Sequence, residues 1–207
     1  MTKTWNGCQN PTAKTGKYVG NEMEIILVRH PETIAPKGMC YGRLDLELKE
    51  SPSITKDKVV SQLVNAPDYI ISSPLPRAKR LADEIAKHFG IKELETDERL
   101  MEMHFGDWEG KMWEELPKTE TSKWLDDFVN LNAPNGESFV ELQTRVMDFA
   151  NEWWLHQELP KMKKLGIQKL LVVSHSAPIR VLICHKKSLP LEKAFRMKID
   201  FGSVTYL

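Results

Sequence analysis

The sequence predicts an α/β fold, a sheet with helices packed on its faces. Three apolar runs, at residues 24–28, 68–73 and 169–173, have the length and continuity expected of strands buried on both faces. Each run ends in a short turn that contains polar residues or proline. The order strand, turn, helix recurs three times along the chain, which is the pattern of an α/β sheet.

The first predicted strand, residues 24–28, changes from apolar to charged within one residue. The letters IILV lead directly into Arg29, His30 and Pro31. A hydrophobic core would normally exclude an arginine and a histidine, so these residues mark the tip of the strand.

The second predicted strand, residues 68–73, ends in Ser72 and Ser73 and leads through a Pro-Leu-Pro turn into a helix. Residues 77–89 place apolar side chains three and four positions apart, which predicts an amphipathic helix. Gly90 is a typical residue at the end of such a helix, and it predicts the stop.

A later helix is predicted near residues 138–156, where aromatic and aliphatic residues recur at intervals of three and four. Ser138 with Glu141 has the spacing of a capping box at its start. The third strand, residues 169–173, is followed by the turn SHSA. Pro178 lies where the next helix begins, since its missing N–H is not needed there.

Length and charge limit the organisation and the partners of this chain. We expect one domain over residues 23–207, preceded by an irregular and polar N-terminal arm at residues 1–22. Lys plus Arg and Asp plus Glu both number 29, so no overall field attracts nucleic acid or an anionic membrane. A homodimer is compatible with the sequence.

Cysteine usage and hydropathy favour a cytoplasmic protein. The three cysteines are odd in number and lack CxxC spacing, which argues against both a disulfide framework and a structural zinc site. No apolar run approaches the length of a membrane span, and the first 22 residues lack the apolar stretch of a secretory signal.

Polar residues follow the ends of all three predicted strands. Arg29 and His30 follow the first strand, Arg77 comes shortly after the second, and His175 follows the third. Ligands of open α/β sheets bind beyond the carboxyl ends of the strands. Each residue alone could be a surface or capping group, but their coincidence at three strand ends favours one shared site.

These residue types suit phosphoryl transfer. Arginine presents a planar fork that matches phosphate oxygens, and a neutral histidine can take up a phosphoryl group. Arg29, Arg77 and a protonated His175 could stabilise the transferring oxygens without a metal. If His30 attacks phosphorus, the leaving alkoxide needs a proton, and residues 98–110 contain candidate carboxylic acids.

Five motifs in order resemble one family. They resemble motifs of the histidine phosphatase superfamily, also called the phosphoglycerate mutase-like family. The five motifs are LVRHPET, SSPLPRA, ERLMEMHFGDWEG, PNGESF and VVSHS. The resemblance spans about residues 23–207. It implies a three-layer α/β/α sandwich with a mostly parallel central sheet, a phosphohistidine intermediate, a small phosphorylated substrate, and neither a metal nor another cofactor.

The resemblance implies three catalytic residues. His30 matches the nucleophile, His175 the second histidine, and Glu102 the acidic proton donor. Asp107 and Glu109 are expected to order a loop or to lie on the surface, since they follow a turn at Gly106.

The same resemblance implies phosphate and substrate contacts. Arg29 and Arg77 match the two phosphate clamps, and Thr33 matches the small hydroxyl residue that closes the first motif. Arg43 could reach the substrate from its loop or face solvent. Ser176 stands where a glycine is common after the second histidine, and we expect it to contact substrate.

Other positions leave alternatives open. Pro31 replaces a usual glycine, which removes one N–H that could contact phosphate. Glu137 and Ser138 could contact substrate, although capping of a helix explains Ser138 nearly as well.

Within the family, the sequence is most similar to α-ribazole phosphatases, which dephosphorylate α-ribazole 5'-phosphate during assembly of the lower ligand of cobalamin. Alternatives are a broad-specificity sugar phosphate phosphatase, a phosphoglycerate mutase-like enzyme and a catalytically silent binding module of the same fold. The chain between residues 110 and 136 is short for a mutase, so a phosphatase is preferred.

Overall fold

The strands of the protein form one sheet in its computed structural model, which describes residues 23–92, 94–156 and 160–207. The predicted N-terminal arm, residues 1–22, lies outside the described residues. The strands are β1 Glu24–Arg29, β2 Tyr69–Ser72, β3 Leu94–Thr96, β4 Lys169–Ser174 and β5 Val204–Tyr206.

The sheet is mostly parallel, as the sequence and its family resemblance imply. Its strand order is β3-β2-β4-β1-β5, and only β5 runs antiparallel, against β1. In the central pair, Arg29 of β1 lies opposite Ser174 of β4. The residues that follow, His30 and His175, therefore leave the sheet side by side.

Helices cover both faces of the sheet and complete the three-layer sandwich. Their bounds are α1 Pro52–Val60, α2 Pro76–Phe89, α3 Lys118–Asp126, α4 Phe139–Ala150, α5 Lys161–Leu165 and α6 Ser176–Lys186. Buried residues of α1 and α2 pack against one face, while those of α4 and α6 pack against the other. No helix in the described parts of the chain is long and apolar enough to cross a membrane.

Burial on both faces explains the continuous apolar run of β1. Ile26 and Val28 pack on the side of α1 and α2, whereas Ile25 and Leu27 pack on the side of α4 and α6. Successive side chains of a strand point to opposite faces, so every position between two helix layers must be apolar. The apolar run of β1 ends where the strand leaves the space between the two helix layers.

The predicted end of α2 and the predicted start of α4 are confirmed. The turn predicted at residues 174–177 is wrong in part, because α6 already begins at Ser176 and Pro178 lies within its first turn. Gly90 ends α2 in the left-handed conformation, with φ of 68°. Ser138 Oγ accepts the Glu141 N–H, and the Glu141 carboxylate accepts the Ser138 N–H, which completes the capping box. Helical backbone continues past α4 as a π-turn over Asn151–Leu155.

Two glycines allow the loop after Glu102 to interlock with the loop before α4. Gly106 has φ of 52°, and a Cβ there would overlap the carbonyl oxygen of Pro134. A Cβ on Gly136 would come within 2.5 Å of the His104 carbonyl oxygen. Because both contacts are with backbone, a side chain at either position has no simple way to move aside.

We predict that Gly106→Ala destabilises the protein much more than Gly90→Ala. Both positions have positive φ, but a Cβ at Gly90 meets no atom within 4 Å. Gly90→Ala should cost about 1 kcal/mol of unfolding free energy from backbone strain alone, and Gly106→Ala about 3 kcal/mol or more. Urea unfolding of the two variants measures the difference, and equal losses would contradict the interlocked loops.

Candidate active site

Two histidines form the centre of the candidate site. The ring centroids of His30 and His175 lie 4.9 Å apart, and both side chains are fully buried. The backbone N–H of His30 donates to the backbone carbonyl of Ser174 at 3.0 Å, which continues the pairing of β1 with β4. The two histidines are thus positioned by the central strands themselves.

One nitrogen of His30 is held in a defined protonation state. Nδ1 lies 2.6 Å from the carbonyl oxygen of Pro31. A carbonyl can only accept, so Nδ1 carries the hydrogen, and in the neutral ring Nε2 carries the lone pair. Nε2 is buried and has no hydrogen-bond partner among the described residues. The lone pair is therefore available to attack.

The surroundings of His30 keep its ring neutral. Burial lowers the pKa of His30 well below its usual value, and the positive charges of Arg77 and Arg29 lower it further. The hydrogen bond to Pro31 opposes this shift with a smaller effect. His30 is thus a neutral imidazole at neutral pH, as a nucleophilic histidine must be.

His175 is fixed by a serine that sequence reasoning left without a role. Its Nε2 lies 2.8 Å from Oγ of Ser73, and its Nδ1 is buried without a partner among the described residues. Burial lowers the pKa of His175 well below its usual value, with further contributions from His30 and Arg77. These groups favour the neutral ring over the protonated form that the sequence analysis expected.

Arg77 lies fully buried at the start of α2. It donates to the carbonyl oxygens of Gly42 at 2.5 Å and Leu44 at 2.7 Å, while its Nε has no partner among the described residues. A buried guanidinium is stable only when such acceptors surround it. The loop at residues 42–44 therefore sets the orientation of this cation.

Arg29, which directly precedes His30, is held by a backbone carbonyl and an aromatic ring. Its Nη1 donates to the Ile199 carbonyl at 2.5 Å, and its guanidinium lies 3.8 Å from the centre of the Phe201 ring. Its Nε, like that of Arg77, is buried and has no partner among the described residues. Within the described part of the chain, two arginine donors and two histidine nitrogens are thus left unpaired near one another, which suits a phosphoryl group.

Glu102 caps the helix that follows His175. Its Oε1 accepts the N–H groups of Met103 at 3.0 Å and Ala177 at 3.1 Å. Its Oε2 accepts the N–H of Ser176 at 3.2 Å and the hydroxyl of Ser176 at 3.1 Å. The negative charge of Glu102 also acts on Arg77, which places this carboxylate in the cluster. Ser176, which the sequence analysis expects to contact substrate, binds Glu102 through both its backbone N–H and its hydroxyl.

A second carboxylate, Glu137, ties two arginines to the backbone of Glu102. Arg43 and Arg145 both donate to the Glu102 carbonyl, at 3.2 Å and 3.1 Å, and both bind Glu137. Glu137 also accepts the His104 N–H at 2.9 Å. We call Arg43, Glu137 and Arg145 the Glu102 clamp. Arg43 thus helps to hold Glu102 and Glu137, its contact with substrate stays a prediction, and sequence reasoning missed Arg145.

Electrostatics within the Glu102 clamp favour its ion pairs. Burial disfavours the charged form of Glu137, but hydrogen bonds from Arg145 and the charges of Arg145 and Arg43 outweigh it and hold the pKa of Glu137 below its usual value.

Glu109 and Asp107 order the neighbouring loops, as expected. Glu109 accepts the N–H groups of Arg43 and Phe105, and Asp107 accepts from Asn135.

A pocket of about 380 Å³ opens beside the cluster. Arg29 and Thr33 border it, together with Lys37, Tyr41 and Phe201. Thr33 is buried, and its Oγ1 accepts the Ala35 N–H at 3.4 Å, so it closes the turn after the first motif.

Among the described residues, no three His, Cys, Asp or Glu side chains are grouped so that they could hold a metal ion.

Known proteins are similar to this chain in sequence and in fold. The chain is 29% identical over 191 residues to phosphoserine phosphatase 1 of Hydrogenobacter thermophilus, covering 89% of this chain and 86% of the relative. It is 28% identical over 186 residues to the adenosylcobalamin/alpha-ribazole phosphatase of Salmonella typhimurium, covering 87% of each.

A solved structure agrees with these relatives. The alpha-ribazole phosphatase from Shigella flexneri superposes with a TM-score of 0.76 at 25% identity, covering 89% of each chain. Residues 25–207 match the family model described as "Histidine phosphatase superfamily (branch 1)". The chain therefore belongs to the histidine phosphatase superfamily.

Proposed function

We propose that the protein is a metal-independent phosphomonoesterase that forms a phosphohistidine on His30. The observation that carries the proposal is the hydrogen bond from His30 Nδ1 to the Pro31 carbonyl. It leaves Nε2 unprotonated, and the charges of Arg29 and Arg77, whose Nε groups have no partner among the described residues, act on this ring. A nucleophile and two phosphate-binding cations thus come together.

The first half of the reaction transfers the phosphoryl group to the protein. Arg29 and Arg77 bind the phosphate oxygens and offset the charge that develops on them. The Nε2 lone pair of His30 forms a bond to phosphorus as the bond to the leaving oxygen breaks. Glu102 supplies the proton that this oxygen needs, so an alcohol departs.

The second half returns the protein to its starting state. Water attacks phosphorus, the bond to His30 breaks, and Glu102 takes up the proton of the water. His30 leaves as a neutral ring because its surroundings disfavour the protonated form. Inorganic phosphate then dissociates from the two arginines.

For the substrate we propose α-ribazole 5'-phosphate. The likeness to the Salmonella and Shigella enzymes supports this choice. The pocket supports it too, because Met39, Tyr41 and Phe201 offer aromatic and apolar surface for a planar base. Phosphoserine is the second candidate, supported by the Hydrogenobacter relative and by Lys37, a cation at the pocket that suits a substrate carboxylate.

We predict His30-dependent phosphate release in the presence of EDTA. The purified protein is assayed with α-ribazole 5'-phosphate, phosphoserine, a sugar phosphate panel and 3-phosphoglycerate. His30→Ala should abolish release, because no other group supplies the nucleophile. His88→Ala is the control, since His88 is exposed on α2 away from the strand ends.

Each outcome of this assay has a separate meaning. Preference for α-ribazole 5'-phosphate supports the cobalamin role, and preference for phosphoserine replaces it with the second candidate. Even activity over the panel indicates a broad-specificity phosphatase, and transfer without phosphate release indicates a mutase. If His30→Ala retains full activity, the phosphohistidine mechanism is wrong, and if no substrate is hydrolysed, the binding module is the better description.

We predict that the two buried histidines make the fold less stable as pH falls. Their pKa values are lowered in the folded protein, whereas an unfolded chain titrates near 6.5. Below that pH the unfolded state binds more protons, so stability decreases with falling pH by up to about 1.4 kcal/mol per unit for each histidine.

Urea unfolding at several values between pH 7 and pH 5 tests this prediction. His30→Gln, which cannot titrate, should lose less stability over the range than the unmodified protein. His88→Gln, at an exposed position of α2, is the matched control. A His30→Gln profile parallel to that of the unmodified protein would show that His30 does not carry the effect.

We predict that Arg145→Lys lowers kcat more than it changes KM. Arg145 reaches Glu137 and the carbonyls of Arg99 and Glu102 with three separate nitrogens, whereas a lysine has a single nitrogen and cannot reproduce this fork. The position of Glu102 should relax, with kcat reduced about 10-fold or more. Arg80→Lys is the control, since Arg80 pairs with Glu47 on the surface. An Arg145→Lys effect confined to KM would place the clamp in substrate binding instead.

A further inference from the structure

The partners of the Glu102 carboxylate differ in one chemical respect. Three of its four donors are the backbone N–H groups of Met103, Ser176 and Ala177. The fourth is the hydroxyl of Ser176. A backbone N–H can only donate, whereas a hydroxyl can donate or accept.

This difference decides where Glu102 can carry a proton. Oε1 faces two N–H groups, so a hydrogen on that oxygen would meet only other donors. Oε2 faces one N–H and the Ser176 hydroxyl. Protonated Glu102 therefore carries its hydrogen on Oε2, and the Ser176 hydroxyl turns to accept it.

Ser176 is also more exposed than the glutamate that it binds. Glu102 is only 8% exposed, while Ser176 is partly exposed. Ser176 is also the first residue of α6 and follows His175 directly. The hydroxyl that binds Oε2 therefore belongs to the residue next to one of the two site histidines.

We infer that the Ser176 hydroxyl relays the proton between Glu102 and the leaving oxygen. This inference rests on the proposed phosphohistidine mechanism and adds one residue to it. As the phosphorus–oxygen bond breaks, the leaving oxygen takes the hydroxyl proton of Ser176. Ser176 Oγ takes the proton of Glu102 Oε2 in the same step, which leaves a Glu102 carboxylate and an intact serine.

Hydrolysis of the phosphohistidine uses the relay in reverse. Water attacks phosphorus and gives a proton to Ser176 Oγ, which passes its own proton to Glu102 Oε2. The bond between His30 and phosphorus breaks with its electron pair on Nε2. Glu102 is again protonated, so each cycle consumes one ester and one water and releases one alcohol and one phosphate.

A change in the leaving group separates this role from a structural one. Ser176→Ala removes the hydroxyl but keeps all three backbone donors to Glu102. An alkyl phosphate needs a proton on its leaving oxygen, whereas p-nitrophenyl phosphate releases a stable anion. Loss of a proton relay should therefore slow the alkyl ester selectively.

The experiment compares kcat/KM for p-nitrophenyl phosphate with that for the best alkyl phosphate of the panel. Ser176→Ala should lower the ratio of alkyl to aryl activity about 10-fold or more, because part of the roughly 10²- to 10⁴-fold contribution of general acid catalysis is lost. Ser176→Thr restores the hydroxyl and should restore the ratio. Glu102→Gln serves as the reference for loss of the acid, and circular dichroism checks that each variant folds.

The outcomes distinguish the relay from the mechanism beneath it. If Glu102→Gln lowers the ratio and Ser176→Ala does not, the relay is wrong and the proposed function stands. Equal losses on both substrates in Ser176→Ala would also overturn the relay, because they indicate a structural role. If Glu102→Gln leaves the ratio unchanged, Glu102 is not the acid, and the relay fails with it. Retained activity in His30→Ala contradicts the proposed function itself.

Discussion

The pairing of β1 with β4 is the constraint on which the rest of the site depends. Because Arg29 lies opposite Ser174, the two strands end at the same level and present His30 and His175 together. A shift of one residue would turn these side chains to opposite faces of the sheet. The shift would also move the apolar residues of β1 out of their helix layers, so core packing enforces the geometry of the site.

Burial then determines the charge of each group in the cluster. His30 and His175 respond to burial by remaining neutral, because an imidazole can lose its proton. Arg77 keeps its charge, and it is therefore held by the carbonyls of Gly42 and Leu44. A chain with no net charge thus builds a local positive site, and the loop that builds it also carries Arg43 of the Glu102 clamp.

Sequence patterns predicted the parts of the site that follow regular elements. His30 and His175 stand at the ends of long buried strands, and the helical pattern after residue 76 locates Arg77. The partners Ser73 and Arg145 were not predicted, because their roles depend on which loops meet in three dimensions. The strands β3 and β5 have three residues each, too few for a period of two to be recognised.

Chemistry and specificity occupy different parts of this fold. The phosphoryl-transfer groups stand on strand ends and helix starts, where the sheet and the capping of α6 by Glu102 leave little freedom. The pocket beside them is lined mainly by residues 32–41, which precede α1 and have no regular secondary structure beyond isolated bridges. Such a loop can change its side chains without disturbing the strand ends. One arrangement of histidines and arginines can therefore serve relatives named for phosphoserine and for α-ribazole, and the residues that choose between such substrates are expected in that loop.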